Sequence, residues 1–223
     1  MKTTVRKALR NNGLSIVLLG LFAACMIGQA VTGWAEENDE RRERGDPPIG
    51  YIAYLESGSF VEATMENWES EFLQMFAYVL LTAFLYQKGS AESKDPDTAD
   101  APEHPRVVSA DAPWPVRRGG WWLRIYQHSL SLSLLALFLF SLVLHATGGA
   151  AAYNEERVAR GDAPVTALAY TTTTRFWFES FQNWQSEFFS IWAMIVLGIF
   201  LRQKASPESK PVESPHSHTG TSA

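Results

Sequence analysis

Residues 14–35, LSIVLLGLFAACMIGQAVTGWA, run for 22 positions without a formal charge. About 20 such residues in helix cross a hydrocarbon core roughly 30 Å thick. Residues 130–152 form a second run, uncharged apart from protonation of His145. Two further apolar stretches, 72–86 and 188–201, are shorter at 15 and 14 residues. Each follows an amphipathic segment free of Gly and Pro, FVEATMENWESE from Phe60 and FWFESFQNWQSE from Phe176. The pattern therefore predicts two more long helices, about 60–88 and 176–204, whose first turns lie at the membrane interface. Their polar residues should face other helices or water rather than lipid.

The chain repeats itself. A shift of 116 residues lays 11–94 on 127–210 without a gap, with about 33 of 84 positions identical. LSIVLLGLF meets LSLSLLALF, NDERRERGDPP meets NEERVARGDAP, and NWESEF meets NWQSEF. Because the apolar run at 130–152 is internal, it cannot be a cleaved leader, and its copy near the N-terminus is most simply a membrane helix as well. LFAAC ending at Cys25 has the look of a lipoprotein signal, yet apolar sequence continues for ten residues beyond it, and the equivalent of Cys25 is Ser141.

Charge sets the expected orientation. Thirteen Lys and Arg fall in the N-terminal segment, the central linker, the tail and the helix ends that adjoin them (Lys88, Arg202 and Lys204), against six in the two hairpin loops, which places both termini and the linker in the cytoplasm. The expected fold is all-α: four transmembrane helices as two tandem, parallel-related helical hairpins about a pseudo-two-fold along the membrane normal. The divisions are a cytoplasmic N-terminus (1–13), hairpin repeat 1 (14–88), a polar linker (89–124), hairpin repeat 2 (125–204) and a disordered cytoplasmic tail (205–223). Trp34, Trp68 and Trp184 read as outer-interface anchors, and Trp121 and Trp122, in WPVRRGGWWLR, as inner ones.

Composition narrows the classes. A chain 46% hydrophobic and 13% aromatic is not intrinsically disordered. The net charge of −5 argues against a nucleic-acid partner. A single cysteine excludes an internal disulfide and a Cys-rich zinc site. No G-x-S-x-G, H-E-x-x-H or Gly-rich phosphate loop is present, so neither catalysis nor a cofactor is expected.

The NW-x-SEF pairs, the paired RGD-x-P turns and PWPVRRGGWW resemble a family of small bacterial integral membrane proteins known only as a domain of unknown function. That resemblance covers nearly the whole chain. It implies a protein of the bacterial cytoplasmic (inner) membrane and brings no activity, substrate or site residue.

The residues most able to carry chemistry are the duplicated Asn67 and Glu71, and Asn183 and Glu187, together with Gln29 and His145 at equivalent depths on the preceding helices. By depth, Gln29 should meet Glu71 and His145 should meet Glu187; the pseudo-symmetry could bring all four together. The preferred reading is structural, because such residues cap a helix start and suit its dipole. The alternative is ion, proton or small-solute handling, since His145 can titrate near neutrality. His216 and His218 alone fall short of a metal site. RGD at 44–46 and 160–162 reads as a helix ended by glycine, and Ser59 with Glu62 fits a capping box that the second copy lacks. The expected role is a structural or interaction component of the envelope, in contact with the lipid bilayer and with a homo-oligomer or another membrane protein. The alternative role is a small transporter, channel or proton-linked sensor.

Overall fold

The computed structural model describes residues 2–97 and 108–220. Residues 98–107 of the linker, Arg106 among them, and 221–223 of the tail lie outside the described residues. Among the described residues the fold is all-helical. The helices are α1 (Lys2–Arg44), α2 (Tyr51–Leu55), α3 (Gly58–Leu81), α4 (Trp114–Arg118), α5 (Gly120–Gln127), α6 (Ser129–Ala159), α7 (Ala167–Tyr170) and α8 (Thr174–Phe200).

Two of them, α1 over Arg10–Arg44 and α6, are long and apolar enough to cross a membrane. The backbone of α1 breaks at Asn12, where φ is −122° and ψ is 17°. Both α3 and α8 stop short of the expected Lys88 and Lys204. At the end of α3 the Thr82 hydroxyl donates to Tyr78 O at 2.9 Å while the chain tightens into short turns. At the end of α8, Nη1 of Arg202 donates to the carbonyls of Ile199 (3.2 Å) and Leu201 (2.8 Å), occupying acceptors that a longer helix would use.

The contacts divide the chain into two units that cut across the sequence repeats. One comprises Met1–Ala63 with Thr147–Ala167. Here each RGD ends its helix. Gly45 (φ +80°) donates to Arg42 O and Asp46 to Arg41 O, and Gly161 (φ +81°) repeats the pattern with Val158 and Arg157. This is the Schellman geometry, and glycine supplies its left-handed residue. Asn38 then grips Ile49 with both ends of its amide, accepting from the N–H at 2.7 Å and donating to the carbonyl at 3.2 Å. Asn154 holds Val165 in the same way. Trp34 donates to Ile49 O at 2.8 Å, so this ring packs against its own hairpin loop. Gly58 and Gly148 allow a close helix approach: a Cβ on Gly58 would lie 2.6 Å from Ala152 N, and one on Gly148 would lie 2.8 Å from Glu62 N.

The other unit comprises Thr64–Ala146 with Leu168–Ala223. Gln74 of α3 donates to Glu187 O (3.1 Å) and Ser190 Oγ (3.3 Å) of α8. The start of α8 is capped by Thr173, whose hydroxyl accepts from Phe176 N at 3.3 Å. Its equivalent, Ser57, caps α3 through Phe60 N at the same distance, so the cap is duplicated and Ser59 is not its centre. Trp121 and Trp122 pack at 4.3 Å between centroids, Trp122 meets Trp114 edge-on, and Arg118 lies over Trp114. The cluster stays largely exposed.

The tail, expected to lack fixed structure, folds back onto the start of the linker. Lys210 is 1% exposed, and its ammonium donates to the carbonyls of Gly89 (2.6 Å), His216 (2.9 Å) and His218 (3.0 Å). Desolvation holds its pKa below the ordinary lysine value. Backbone carbonyls can hold a buried ammonium as carboxylates do, a device that sequence patterning does not reveal.

Two outcomes follow. Gly148→Leu should cost about 1–3 kcal/mol through overpacking, read as a lower melting temperature in detergent. Lys210→Met should release the tail and speed its proteolysis at least about tenfold, since even one charge-assisted bond contributes about 1.5–3 kcal/mol; a control such as Lys7→Met should leave the rate unchanged.

Candidate buried histidine–carboxylate site

An imidazole lies in the middle of an apolar helix. His145 of α6 is fully buried, 0% exposed, and stacks on Phe176 at 4.8 Å between ring centroids. Such a group is tolerated among apolar residues only when partners satisfy it. Two carboxylates approach it from different helices. Glu69 of α3 places Oε2 2.7 Å from Nδ1, and Glu179 of α8 places Oε2 3.5 Å from Nε2. At that distance the second contact is an ion-pair approach rather than a hydrogen bond, which leaves Nε2 without one.

The carboxylates are themselves held. Glu69, also 0% exposed, accepts from Trp184 Nε1 at 3.0 Å on its other oxygen. Glu179 accepts from the Tyr170 hydroxyl at 2.6 Å and from Arg175 Nε at 2.8 Å. Glu66, one turn before Glu69 on the same face of α3, accepts from the amide of Asn183, which also donates to Glu179 O at 3.1 Å. Nearby stretches of α6 and α8 carry two more buried hydroxyls without partners, Ser141 and Ser180.

The structure brings some of the expected residues together and separates others. His145 and Asn183 belong to the cluster. Asn67 is exposed, and Gln29 lies in the other unit. His145 does not pair with Glu187 as depth alone suggested. Glu71 is two residues past Glu69, about 200° around the helix, so it points away from the imidazole. Glu71 and Glu187 interact with each other instead. Trp184, expected as an interface anchor, is also a hydrogen-bond donor to the cluster, while Trp68 packs edge-on against Phe72 at 6.4 Å. His216 places Nδ1 3.1 Å from Ile199 O, and the carbonyls of His216 and His218 hold Lys210, so neither contributes to this site.

Sequence reasoning missed Glu66, Glu69, Glu179, Tyr170 and Arg175. A signal for the acids was present. Shifted by 116 residues, Glu66 and Glu69 become Gln182 and Gln185, His145 becomes Gln29, and Glu179 becomes Ala63. The ionisable set therefore exists once, where the two copies differ. Of the six candidate polar residues, Gln29 and His145 alone differ between the copies, while Asn67, Glu71, Asn183 and Glu187 are shared.

Breaking this pairing should be costly. Glu69→Ala should lower stability by about 3–5 kcal/mol, because it leaves a buried imidazole uncompensated. Exposed Glu71→Ala should change it by no more than about 0.5 kcal/mol. Thermal unfolding of both variants in the same detergent decides.

A family profile described as a domain of unknown function (DUF6766) matches residues 5–221. No curated protein and no solved structure matches the chain.

Proposed function

From the premise that the chain belongs to the DUF6766 family, we propose that it is a multi-pass protein of the bacterial cytoplasmic membrane. In this reading it is a structural or interaction component without chemistry of its own. Four helices cross the bilayer, both termini and the linker are cytoplasmic, and the hairpin loops around Asp46 and Asp162 face outward.

The observation that carries this reading is the exposure of apolar helix surface. In α1 only 6% of the most apolar 18-residue stretch is buried, and in α6 only 17%. A core helix of a water-soluble protein would be mostly covered, whereas lipid covers such a surface without cost. Phe189 and Trp192 of α8 and Leu80 and Leu81 of α3 are exposed as well, which supports crossing by the two shorter apolar runs.

Three pairs of residues related by the 116-residue shift meet one another: Glu71 with Glu187, Gln74 with Ser190, and Glu92 with Glu208. Equivalent residues touch only where a pseudo-two-fold axis passes between them. This supports an axis running between α3 and α8, along the membrane normal if both cross.

A second reading, a proton- or cation-linked sensor, is favoured by the buried His145 cluster. A conduit is less favoured. Residues 17–21, 79–85, 132–140 and 195–201 are almost wholly apolar, so no polar path continues from the cluster through the helices.

The test uses a Cys25→Ser background carrying Asp46→Cys, Ser109→Cys or Asp162→Cys. A membrane-impermeant maleimide applied to intact cells should label positions 46 and 162 and miss 109. Labelling of 109 together with 46 would mean that α3 does not cross. Recovery of the full chain from the aqueous fraction without detergent would end the membrane reading.

A further inference from the structure

We infer that Glu66, His145 and Glu179 form a binding site for one divalent transition-metal ion of the zinc class. The inference goes beyond the proposed role and stands whether or not α3 and α8 cross a membrane. One ligand atom from each of the three residues lies within 4.8 Å of the other two. Metal–ligand bonds of about 2.0–2.1 Å in tetrahedral geometry put neighbouring ligand atoms about 3.4 Å apart. His145 Nε2 and Glu179 Oε2 already stand at 3.5 Å.

Three further observations separate this cluster from a chance gathering of acids. First, Nε2 of a fully buried imidazole faces a carboxylate and makes no hydrogen bond. Polar nitrogens are left in that state at a cost of a few kcal/mol unless something binds them. Second, the opposite nitrogen, Nδ1, is held by Glu69 at 2.7 Å. A carboxylate on the far nitrogen of a metal-ligating histidine fixes the tautomer and aims the free lone pair at the metal. Glu69 is held in turn by Trp184, and Glu179 by Tyr170 and Arg175, so the surrounding side chains orient the ligands as well. Third, charge points the same way. Glu66, Glu69 and Glu179 against the single Arg175 leave two uncompensated negative charges whenever the imidazole carries no proton. A divalent cation neutralises both in a medium where each is expensive, and a proton on His145 neutralises one.

The donor set also limits the ion. One imidazole and two carboxylates without sulfur suit zinc, manganese or iron(II) more than copper(I) or a cluster. Three protein ligands leave a fourth tetrahedral position for water or a small anion.

The full chain, purified in detergent and stripped with a chelator, would be equilibrated with zinc(II), desalted and assayed for metal per chain. Wild type and the His216→Ala/His218→Ala variant should each retain about one zinc per chain, as a formed site requires. Glu66→Gln, which keeps the acceptor for Asn183 and introduces the residue present in the other copy, should bind at least about tenfold more weakly. Zinc K-edge absorption of the wild-type complex should show a single imidazole in an N/O shell at about 2.0–2.1 Å without sulfur, and this decides even if Glu66→Gln fails to fold. Less than about a tenth of a zinc per chain in wild type would overturn the inference and leave a protonated His145 as the occupant of the cluster. Two or more imidazoles in the shell, or unchanged affinity in a folded Glu66→Gln, would overturn it equally.

Discussion

A single imidazole buried among apolar residues dictates much of the packing around it. His145 cannot sit uncovered in α6 without partners, and no residue on its own helix supplies them. Glu69 must approach from α3 and Glu179 from α8, so one side chain fixes the rotation of three helices at once. Each carboxylate is then tied down by a second donor, which spreads the constraint to Trp184, Tyr170, Arg175 and Asn183. Apolar contacts alone would tolerate many helix rotations. A directional, buried polar network tolerates few.

The duplication explains why such a network could arise in one place. The 116-residue sequence repeat supplies equivalent positions twice, and matching residues build the scaffold: the Schellman turns at Gly45 and Gly161, the Asn38 and Asn154 clamps, and the hydroxyl caps Ser57 and Thr173. The site is made where the copies disagree. Glu66 and Glu69 come from the first copy, His145 and Glu179 from the second, and their counterparts are glutamines and an alanine that carry no charge. Glu71 and Glu187 are kept in both copies and meet each other, so they mark the join between α3 and α8.

The all-helical fold, the apolar character of α1 and α6, and the glycine-ended RGD turns were legible in the sequence because each depends on local pattern: run length, periodicity and the conformation only glycine adopts readily. Other features depend on which helix faces meet, and apolar depth is a poor guide to that. Depth paired His145 with Glu187; the helical angle between Glu69 and Glu71 decides otherwise. The ends of α3 and α8 were overextended because nothing in their composition shows that Thr82 and Arg202 will occupy the last carbonyls. The Ser and Pro content of the tail points to a chain without fixed structure, while its anchor is one lysine meeting backbone carbonyls, which no residue type betrays.

The central claim is that His145 is held by Glu69 and not by the duplicated Glu187. A double-mutant cycle in thermal unfolding tests it most directly, pairing His145→Gln with Glu69→Gln and, separately, with Glu187→Gln. The account predicts a coupling of about 1–3 kcal/mol for the first pair and less than about 0.5 kcal/mol for the second, the range that separates residues in contact from independent ones. Equal couplings, or a larger one with Glu187, would contradict it.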